Sequence, residues 1–342
     1  MVINLLRSDV FLRLSARPWE LEAMIDVKTP AQTIVVIDEI QKIPALLNEV
    51  HRLIEERNIV FLLTGSSART LKRGAVNLLA GRAWEAHLYP LVRREIPDFN
   101  LLRYLNYGGL PTVYLSKNPV EDLIAYVDVY LKEEIQAESF VRKIQAFSRF
   151  LETAALTSGK ILNYNSLAND VGIPASTVRE YYQILQDTLI GFLLPAWTKT
   201  KKRKAVSTSK FYFFDIGVRN QLAGIRAIEP VSDLYGEAFE HFMAMELKAY
   251  LDYHRKHLTL SYWSAQQGKE VDFIIGDSIA IEIKTTNMVS DKHLKGLKML
   301  QEENICTQYF LVSFDRVHKK EHGINIIYWE DFLDQLWDGA YL

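Results

Sequence analysis

The 342-residue chain has little cysteine, no long apolar run and no excess of one charge. Its single cysteine, Cys306, excludes an internal disulfide and forms no Cys–His cluster at the spacing of metal ligands. No apolar stretch approaches the roughly 18 residues of a membrane span, and residues 1–9 do not have the pattern of a signal peptide. We therefore expect a soluble protein in the reducing cytoplasm, with no membrane partner.

The charges nearly balance, since 40 Lys and Arg residues face 42 Asp and Glu residues, for a net charge of −2. The chain as a whole is no polycation, so contact with nucleic acid would need a local basic patch. Apolar residues make up 49% of the chain, which is enough to build real cores. The length suits two or three domains.

The order of apolar patterns predicts a multi-domain α/β protein with four segments. In residues 1–100, strand-like runs, the last at residues 84–88, alternate with helical patterns, which predicts a parallel sheet. Residues 101–160 have the periodicity of helices and form a connecting region. Residues 161–215 follow the helix, helix, strand order of a winged helix. Residues 216–342 return to a long helix followed by strands, which indicates a second α/β unit.

The first chemical motif is an apolar strand that ends in two adjacent carboxylates, Asp38 and Glu39. In phosphoryl transfer, one carboxylate at such a position can hold Mg²⁺ and the other can orient an attacking water. We assign the metal to Asp38 and the water to Glu39. The next apolar run ends in Thr64 and Ser66, where a sensor of the γ-phosphate would lie. The alternative is an ordinary strand followed by a helix-capping Asp.

Several motifs resemble those of the AAA-like ATPases that carry a C-terminal DUF4143 domain. The matching stretches are residues 36–44 (VIDEIQKIP), 63–67 (LTGSS), and 80–82 (AGR) followed by 89–91 (YPL). The resemblance covers nearly the whole chain and implies ATP and Mg²⁺ as ligands. It implies catalytic roles for Asp38 and Glu39, and phosphate-sensing roles for Thr64 and Ser66. Arg82 resembles the basic group near the phosphates, although it could also be a solvated arginine at a helix end.

The chain departs from that family at its phosphate-binding loop. Family members begin with a strand and a G-x-x-x-x-G-K-[ST] loop, whose backbone N–H groups and lysine hold the phosphates. These 342 residues contain no such loop, and residues 2–6 resemble the family's second strand. Loss of a strand inside the sheet would leave unpaired backbone and uncovered apolar surface. We expect that the chain is truncated relative to its working form. The alternative is that the phosphate-binding loop, or Walker A segment, has degenerated and that nucleotide binding has been lost.

The second chemical motif places Asp272, Glu282 and Lys284 on two adjacent strand-like runs. A period of two puts Glu282 and Lys284 on one face of their strand. Two carboxylates can bind Mg²⁺ and the lysine can position a water, which suits phosphodiester cleavage. The pattern resembles the PD-(D/E)XK nuclease superfamily, and that resemblance adds a helix glutamate, Glu240. The alternative is a surface pair of lysine and carboxylate, which would contribute little.

Two features could contact nucleic acid. On the second helix of the predicted winged helix, Thr177 and Arg179 are candidates for reading the major groove. A basic loop could follow the phosphate backbone with binding that weakens as salt rises. Its candidate residues are Lys201, Lys202 and Arg203. A solvated hairpin tip or a docking surface between domains is the alternative for this loop.

These observations leave three hypotheses for the function. The first is an ATPase that switches or moves a winged-helix and nuclease-like tail on nucleic acid. The second is a Mg²⁺-dependent nuclease with a regulatory or vestigial ATPase portion, and the third is a DNA-binding module without catalysis. A homo-oligomer would fit the first hypothesis, because Arg82 could reach a neighbour's site.

Overall fold

The computed structural model separates into two compact units. The N-terminal unit comprises residues 1–85 and 184–189, and the C-terminal unit comprises residues 86–183 and 190–342. The structure describes residues 1–25, 34–65, 83–131, 144–200, 205–230, 232–265 and 268–342. Within these ranges, no helix combines the length and the apolar character that crossing a membrane requires.

A parallel sheet forms the centre of the N-terminal unit. Its strands are β1 (Val2–Asn4), β2 (Ile34–Asp38) and β3 (Val60–Leu63), in the order β1-β2-β3. Its helices are α1 (Ser8–Ala16), α2 (Glu20–Met24) and α3 (Leu46–Arg57). The apolar residues of α3 recur at helical spacing and pack in one core with the buried side chains of β2. The predicted parallel α/β arrangement is confirmed.

The first half of the C-terminal unit is mainly helical. Its helices are α4 (Leu101–Tyr107), α5 (Pro111–Tyr114), α6 (Pro119–Ala125), α7 (Ile144–Leu156), α8 (Tyr164–Val171), α9 (Ala175–Asp187, whose last turn belongs to the N-terminal unit) and α10 (Ile216–Leu222). Strands β4 (Gly191–Leu194) and β5 (Lys210–Phe213) form an antiparallel pair. Gly172 ends α8 in the left-handed conformation, which residues with a Cβ rarely adopt, and so sets the turn into α9. The helix, helix, strand order of this segment is as predicted.

One predicted strand is wrong. Residues 84–88 have no regular secondary structure, and Trp84 and Leu88 are 84% and 93% exposed. Alternating apolar residues specify a strand only when a core covers one face. No such core covers these two side chains.

The second half of the C-terminal unit is built on a six-stranded mixed sheet. The helices are α11 (Asp233–Tyr253), α12 (Lys295–Gln301) and α13 (Trp329–Trp337), and the strands are β6 (Leu260–Ser264), β7 (Glu270–Ile275), β8 (Ile279–Lys284), β9 (Gln308–Ser313), β10 (Lys319–Glu321) and β11 (Ile324–Tyr328). The strand order is β10-β11-β9-β8-β7-β6. Strands β8, β9 and β11 are parallel, whereas β6, β7 and β10 run antiparallel to their neighbours. The sheet is thus parallel in its centre and antiparallel at both edges.

Apolar layers cover both faces of this sheet. Helix α11 is buried on most of its sides, and its Phe239 and Phe242 belong to one core with Ile281 of β8. On the other face, Leu297 of α12 belongs to a second core with Ala280 of β8. Since successive residues of a strand point to opposite faces, Glu282 lies on the same face as Ala280, beneath α12. The sheet therefore carries this carboxylate into a buried position.

Candidate functional site

Asp272, Glu282 and Lys284 come together on adjacent strands and form what we call the carboxylate–lysine site. Asp272 lies on β7, and the other two lie on β8. The carboxylates are only 7% and 6% exposed. The Lys284 ammonium donates to Glu282 Oε1 at 2.5 Å and lies 4.0 Å from Asp272 Oδ2. The geometry brings together the three residues that the sequence pattern selected.

The two carboxylates have different hydrogen-bond partners. Asp272 Oδ2 accepts from the Ile283 backbone N–H at 2.7 Å, which fixes its orientation toward β8. Glu282 Oε2 is buried and has no hydrogen-bond partner among the described residues. Leaving a buried acceptor unpaired is costly, so this oxygen marks a place where a further cation or donor would be stabilised.

Helix α12 approaches this site closely at Gly296. A Cβ at this position would lie 2.3 Å from the Glu270 carbonyl oxygen and 3.6 Å from Glu282 Oε2. The first distance is far below van der Waals contact, so only glycine lets the helix pack against β7 here. The absent side chain thus permits α12 to cover the Glu282 carboxylate.

Burial and mutual repulsion disfavour the charged forms of the two acids. Burial raises the pKa of Asp272 to about 6, although the charge of Lys284 opposes the shift. Burial and the neighbouring charge of Asp272 raise the pKa of Glu282 well above its ordinary value. Burial alone would lower the pKa of Lys284, but the charges of Asp272 and Glu282 outweigh it and raise that pKa. An added positive charge would therefore stabilise the ionised acids.

Glu240, the predicted helix glutamate, lies on α11 and is held by residues of β5. Its Oε1 accepts from Lys210 Nζ at 3.1 Å and from the Tyr212 hydroxyl at 2.6 Å. Lys210 is 3% exposed and also forms an ion pair with Glu270. Burial raises the pKa of Glu240, but Lys210 and the hydrogen bond from Tyr212 outweigh it and lower that pKa. Glu240 is therefore an ionised group with its own counter-ion.

Sequence reasoning missed Lys210 and Tyr212. A signal was present, because Lys210 begins the otherwise aromatic run Lys-Phe-Tyr-Phe, and a lysine within a buried strand needs a carboxylate partner. The pattern could not name that partner. Glu240 lies 30 residues further along the chain, on a different element.

The donor set fits Mg²⁺ in one particular way. Among the described residues, no group of three or more His, Cys, Asp or Glu side chains is placed to hold a metal ion. Mg²⁺ is usually bound by one or two carboxylates, with waters and substrate phosphates completing its shell. Asp272 and Glu282 supply two buried carboxylates and one oxygen that lacks a partner. These residues fit an ion shared with water and substrate, and do not fit a cage made of protein alone.

In the N-terminal unit, Asp38 and Thr64 meet at the ends of β2 and β3. Thr64 Oγ1 donates to Asp38 Oδ1 at 2.6 Å and accepts from the Glu39 N–H at 3.3 Å. Glu39 has a left-handed backbone with φ of 61°, and its carboxylate accepts from Gln41 Nε2 at 2.5 Å. Strained backbone of this kind is common at functional sites. Ser66 and Arg82 lie outside the described residues.

The predicted nucleic-acid contacts are only partly within the described chain. On α9, Arg179 is exposed and its guanidinium lies 4.7 Å from the centre of the Tyr164 ring, and Thr177 is half-buried. Arg179 and Tyr164 line an open cavity of about 480 Å³. The other polar residues that line it are Asn163, Asn165 and Thr208. Lys201, Lys202 and Arg203 lie outside the described residues.

Comparison with known proteins divides the chain into three matched segments. Residues 2–97 match a family described as an AAA domain. Residues 98–229 and 235–332 match two domains of unknown function, DUF8612 and DUF4143 respectively. The carboxylate–lysine site lies in the DUF4143 segment, whereas Lys210 lies in the DUF8612 segment.

Relatives that match this chain over most of their own length occur in a bacterium and an archaeon. An uncharacterized protein of Haemophilus influenzae is 22% identical over 92% of this chain and 82% of its own length. One of Methanocaldococcus jannaschii is 23% identical over 86% of this chain and 73% of its own length. A crystal structure of a Vibrio cholerae protein aligns with 95% of this chain and 94% of its own, with 13% identity and a TM-score of 0.24.

The resemblance drawn from the sequence motifs is confirmed by the two outer matches. The AAA domain covers the segment with Asp38 and Thr64, and DUF4143 covers the segment with Asp272 and Glu282. The order of the two domains is the order that the motifs predicted. The chain therefore matches an AAA domain model at residues 2–97 and the DUF4143 model at residues 235–332, in that order.

Proposed function

We propose that the C-terminal unit is a Mg²⁺-dependent phosphodiesterase that acts on nucleic acid. The observation that carries this proposal is the carboxylate–lysine site, in which two buried acids and an ammonium group meet while one Glu282 oxygen has no hydrogen-bond partner among the residues that the structure describes. A carboxylate pair beside a lysine suits phosphodiester hydrolysis, because the transition state gathers negative charge.

Each residue of the site would have a separate role. Asp272 and Glu282 would hold Mg²⁺, which neutralises charge on a phosphate when bound. Lys284 would orient the attacking water or stabilise the developing negative charge, because its ammonium is already positioned by Glu282. The Ile283 N–H would keep Asp272 directed at β8. On α9, exposed Arg179 would contribute a phosphate or base contact outside the site.

The proposal is tested by DNA cleavage with purified protein in Mg²⁺ and in excess chelator. Glu282→Gln should reduce cleavage by about 10²-fold or more, since it removes a metal ligand and the partner of Lys284. The matched control is Glu321→Gln on β10, where Glu321 also pairs with a lysine two residues away, at 2.9 Å, but is half-buried rather than buried. Equal cleavage by Glu282→Gln and the control would rule the proposal out.

A second proposal concerns the AAA domain, which we propose binds Mg²⁺ and ATP and regulates the C-terminal unit. The hydrogen bond between Thr64 and Asp38 at neighbouring strand ends favours it, since a metal-binding Asp and a γ-phosphate sensor must lie close together. No G-x-x-x-x-G-K-[ST] sequence occurs in these 342 residues, so another segment or a second subunit would supply the phosphate contacts.

Binding of ATP in Mg²⁺ by the chain, measured beside Asp38→Ala, tests this second proposal. Affinity that is lost in Asp38→Ala would support it. Affinity that is equal in both proteins would contradict the role of Asp38, and no binding by either protein would contradict nucleotide regulation of this chain. A protein that binds DNA in a salt-sensitive way but cleaves nothing would instead match the third, non-catalytic hypothesis.

A further inference from the structure

We propose that the buried ammonium group of Lys210 positions Glu240 and Glu270 and thereby limits the number of divalent ions that the neighbouring carboxylate–lysine site binds to one. Lys210 comes from β5, in the DUF8612 segment, whereas both glutamates belong to the DUF4143 segment. The site would then be complete only when the two segments are folded together. This inference rests on the metal binding of the proposed function, but not on cleavage.

The first line of support is the environment of Lys210. Its side chain is 3% exposed, and its ammonium lies 3.1 Å from Glu240 Oε1 and in an ion pair with Glu270. It also lies 5.2 Å from the centre of the Tyr262 ring, whose face attracts cations. A charge so deeply buried is stable only with such partners. Lys210 thus occupies a cation position formed by two carboxylates and an aromatic ring.

The second line of support is the charge balance of the combined cluster. The two sets of ion pairs adjoin on β7, which carries both Glu270 and Asp272. The acids are Glu240, Glu270, Asp272 and Glu282, and the bases are Lys210 and Lys284. Four carboxylates against two ammonium groups leave two negative charges when all six groups are ionised. One divalent ion cancels that charge, and a second would leave the cluster with two positive charges. The balance favours a one-ion site over a pair of ions.

The third line of support is the hydrogen bonding of Glu240. The Glu240 carboxylate oxygen that accepts from Lys210 also accepts from Tyr212 at 2.6 Å, and Tyr212 is fully buried. These two donors come from the same strand and hold the glutamate from one side. With this oxygen committed to β5, Glu240 is a poor ligand for a second ion. Lys210 is accordingly a positioning residue and not a catalytic one.

The test is the number of Mn²⁺ ions bound, measured by calorimetry and by paramagnetic resonance on the full chain. Wild type and Lys210→Arg, which keeps the charge, should each bind one ion. Lys210→Met leaves Glu240 and Glu270 without their counter-ion and the cluster with three negative charges. A second ion then leaves only one positive charge and can take the place of the ammonium group, so this variant should bind two. Adding Glu240→Gln to Lys210→Met restores the charge balance and should return the number to one.

Three results would overturn the inference. The first is that wild type binds no ion or two ions. The second is that a folded Lys210→Met binds one ion with unchanged affinity. The third is that the double variant binds two ions. If Lys210→Met does not fold, Lys210→Gln, which is neutral but polar, takes its place and should likewise bind two ions. DNA cleavage measured on the same samples separates the two proposals. One ion bound without cleavage would support the role of Lys210 while rejecting the phosphodiesterase.

Discussion

The three-stranded and the six-stranded sheet both carry acidic residues on their strands, yet they place them in different environments. In the N-terminal unit, Asp38 is half-buried and is bonded to a threonine hydroxyl. In the C-terminal unit, Asp272 and Glu282 are both buried and share a lysine, and Glu282 lies beneath α12. The chemistry of a strand-end carboxylate is thus set by the layer that covers it, and the strand pattern alone does not determine it.

The covering layers also differ in extent. Strand β3 of the three-stranded sheet leaves Val60 and Leu62 51% and 54% exposed. The six-stranded sheet has apolar cores on both faces, and β8 is buried along most of its length. Among the described residues, no acid of the N-terminal unit is buried, whereas several acids of the C-terminal unit are. Effects that depend on burial should therefore be confined to the C-terminal unit.

The largest expected difference between the two regions is in metal affinity without nucleotide. Removing a residue that only hydrogen-bonds to a metal ligand already changes metal affinity by about 10–100-fold. Asp272→Asn removes a proposed direct ligand and should therefore weaken Mn²⁺ binding by at least about 10-fold. Asp38→Asn, in the half-buried region, should change it by less than about twofold. Titration of Mn²⁺ into both variants measures this. A stronger effect of Asp38→Asn would reverse the assignment of the metal site.

The next effect is a pH dependence confined to the buried region. Glu246 is 1% exposed, and burial raises its pKa to about 7 even though it accepts from the Arg93 N–H and from Trp337 Nε1. The folded state then holds this proton more tightly than the unfolded state, so stability is lost as the pH rises from about 4.5 to about 7.

Glu246→Gln removes this titration. The free energy of unfolding of wild type, minus that of Glu246→Gln, should fall by up to about 3 kcal/mol between pH 4.5 and pH 8. Urea unfolding at several pH values, followed by tryptophan fluorescence, measures the difference. A difference that is constant with pH would show that Glu246 is ionised throughout.

A smaller effect is expected where α12 covers the Glu282 carboxylate. Gly296→Ala places a Cβ 2.3 Å from the Glu270 carbonyl and should destabilise the C-terminal unit by about 1–3 kcal/mol. The control is Gly236→Ala in α11, where the nearest atom is 3.7 Å away and alanine should be neutral or stabilising. Thermal unfolding of both variants tests this, and equal melting temperatures would argue against the close approach of α12.

The smallest effect is expected in the N-terminal unit. Thr64→Val removes the hydroxyl that bridges Asp38 and the Glu39 N–H and should destabilise β2 and β3 by about 1 kcal/mol. Thr64→Ser keeps the hydroxyl and should behave like wild type. Hydrogen exchange of the amides in these strands is the suitable measurement. Unchanged exchange in Thr64→Val would indicate that the bridge contributes nothing.

Local patterns in the sequence predicted much of the carboxylate–lysine site and its strands. Strand β9 contains the uninterrupted apolar run Tyr309–Val312, which is typical of a buried central strand. The alternation of Glu282 and Lys284 correctly placed both on one face of β8. By contrast, β10, β11 and α13 were not predicted, although α13 has an apolar stripe that ends in Trp337.

Tertiary pairing explains what could not be predicted. Lys210 contacts Glu240, 30 residues further along the chain on α11, and Glu270, 60 residues further along on β7. Nothing in a local pattern specifies such a contact. Conversely, the wrong strand at residues 84–88 had the pattern but lacked a core to cover it.

The central claim is that the carboxylate–lysine site cleaves phosphodiesters, and the most direct measurement is Mg²⁺-dependent cleavage of DNA by wild type and by Lys284→Met. Lys284→Met keeps both carboxylates, so it should still bind Mn²⁺ while its cleavage falls by about 10²-fold or more, and Lys319→Met on β10 should cleave like wild type. Cleavage that is unaffected by Lys284→Met, or the absence of Mg²⁺-dependent cleavage by wild type, would contradict the claim.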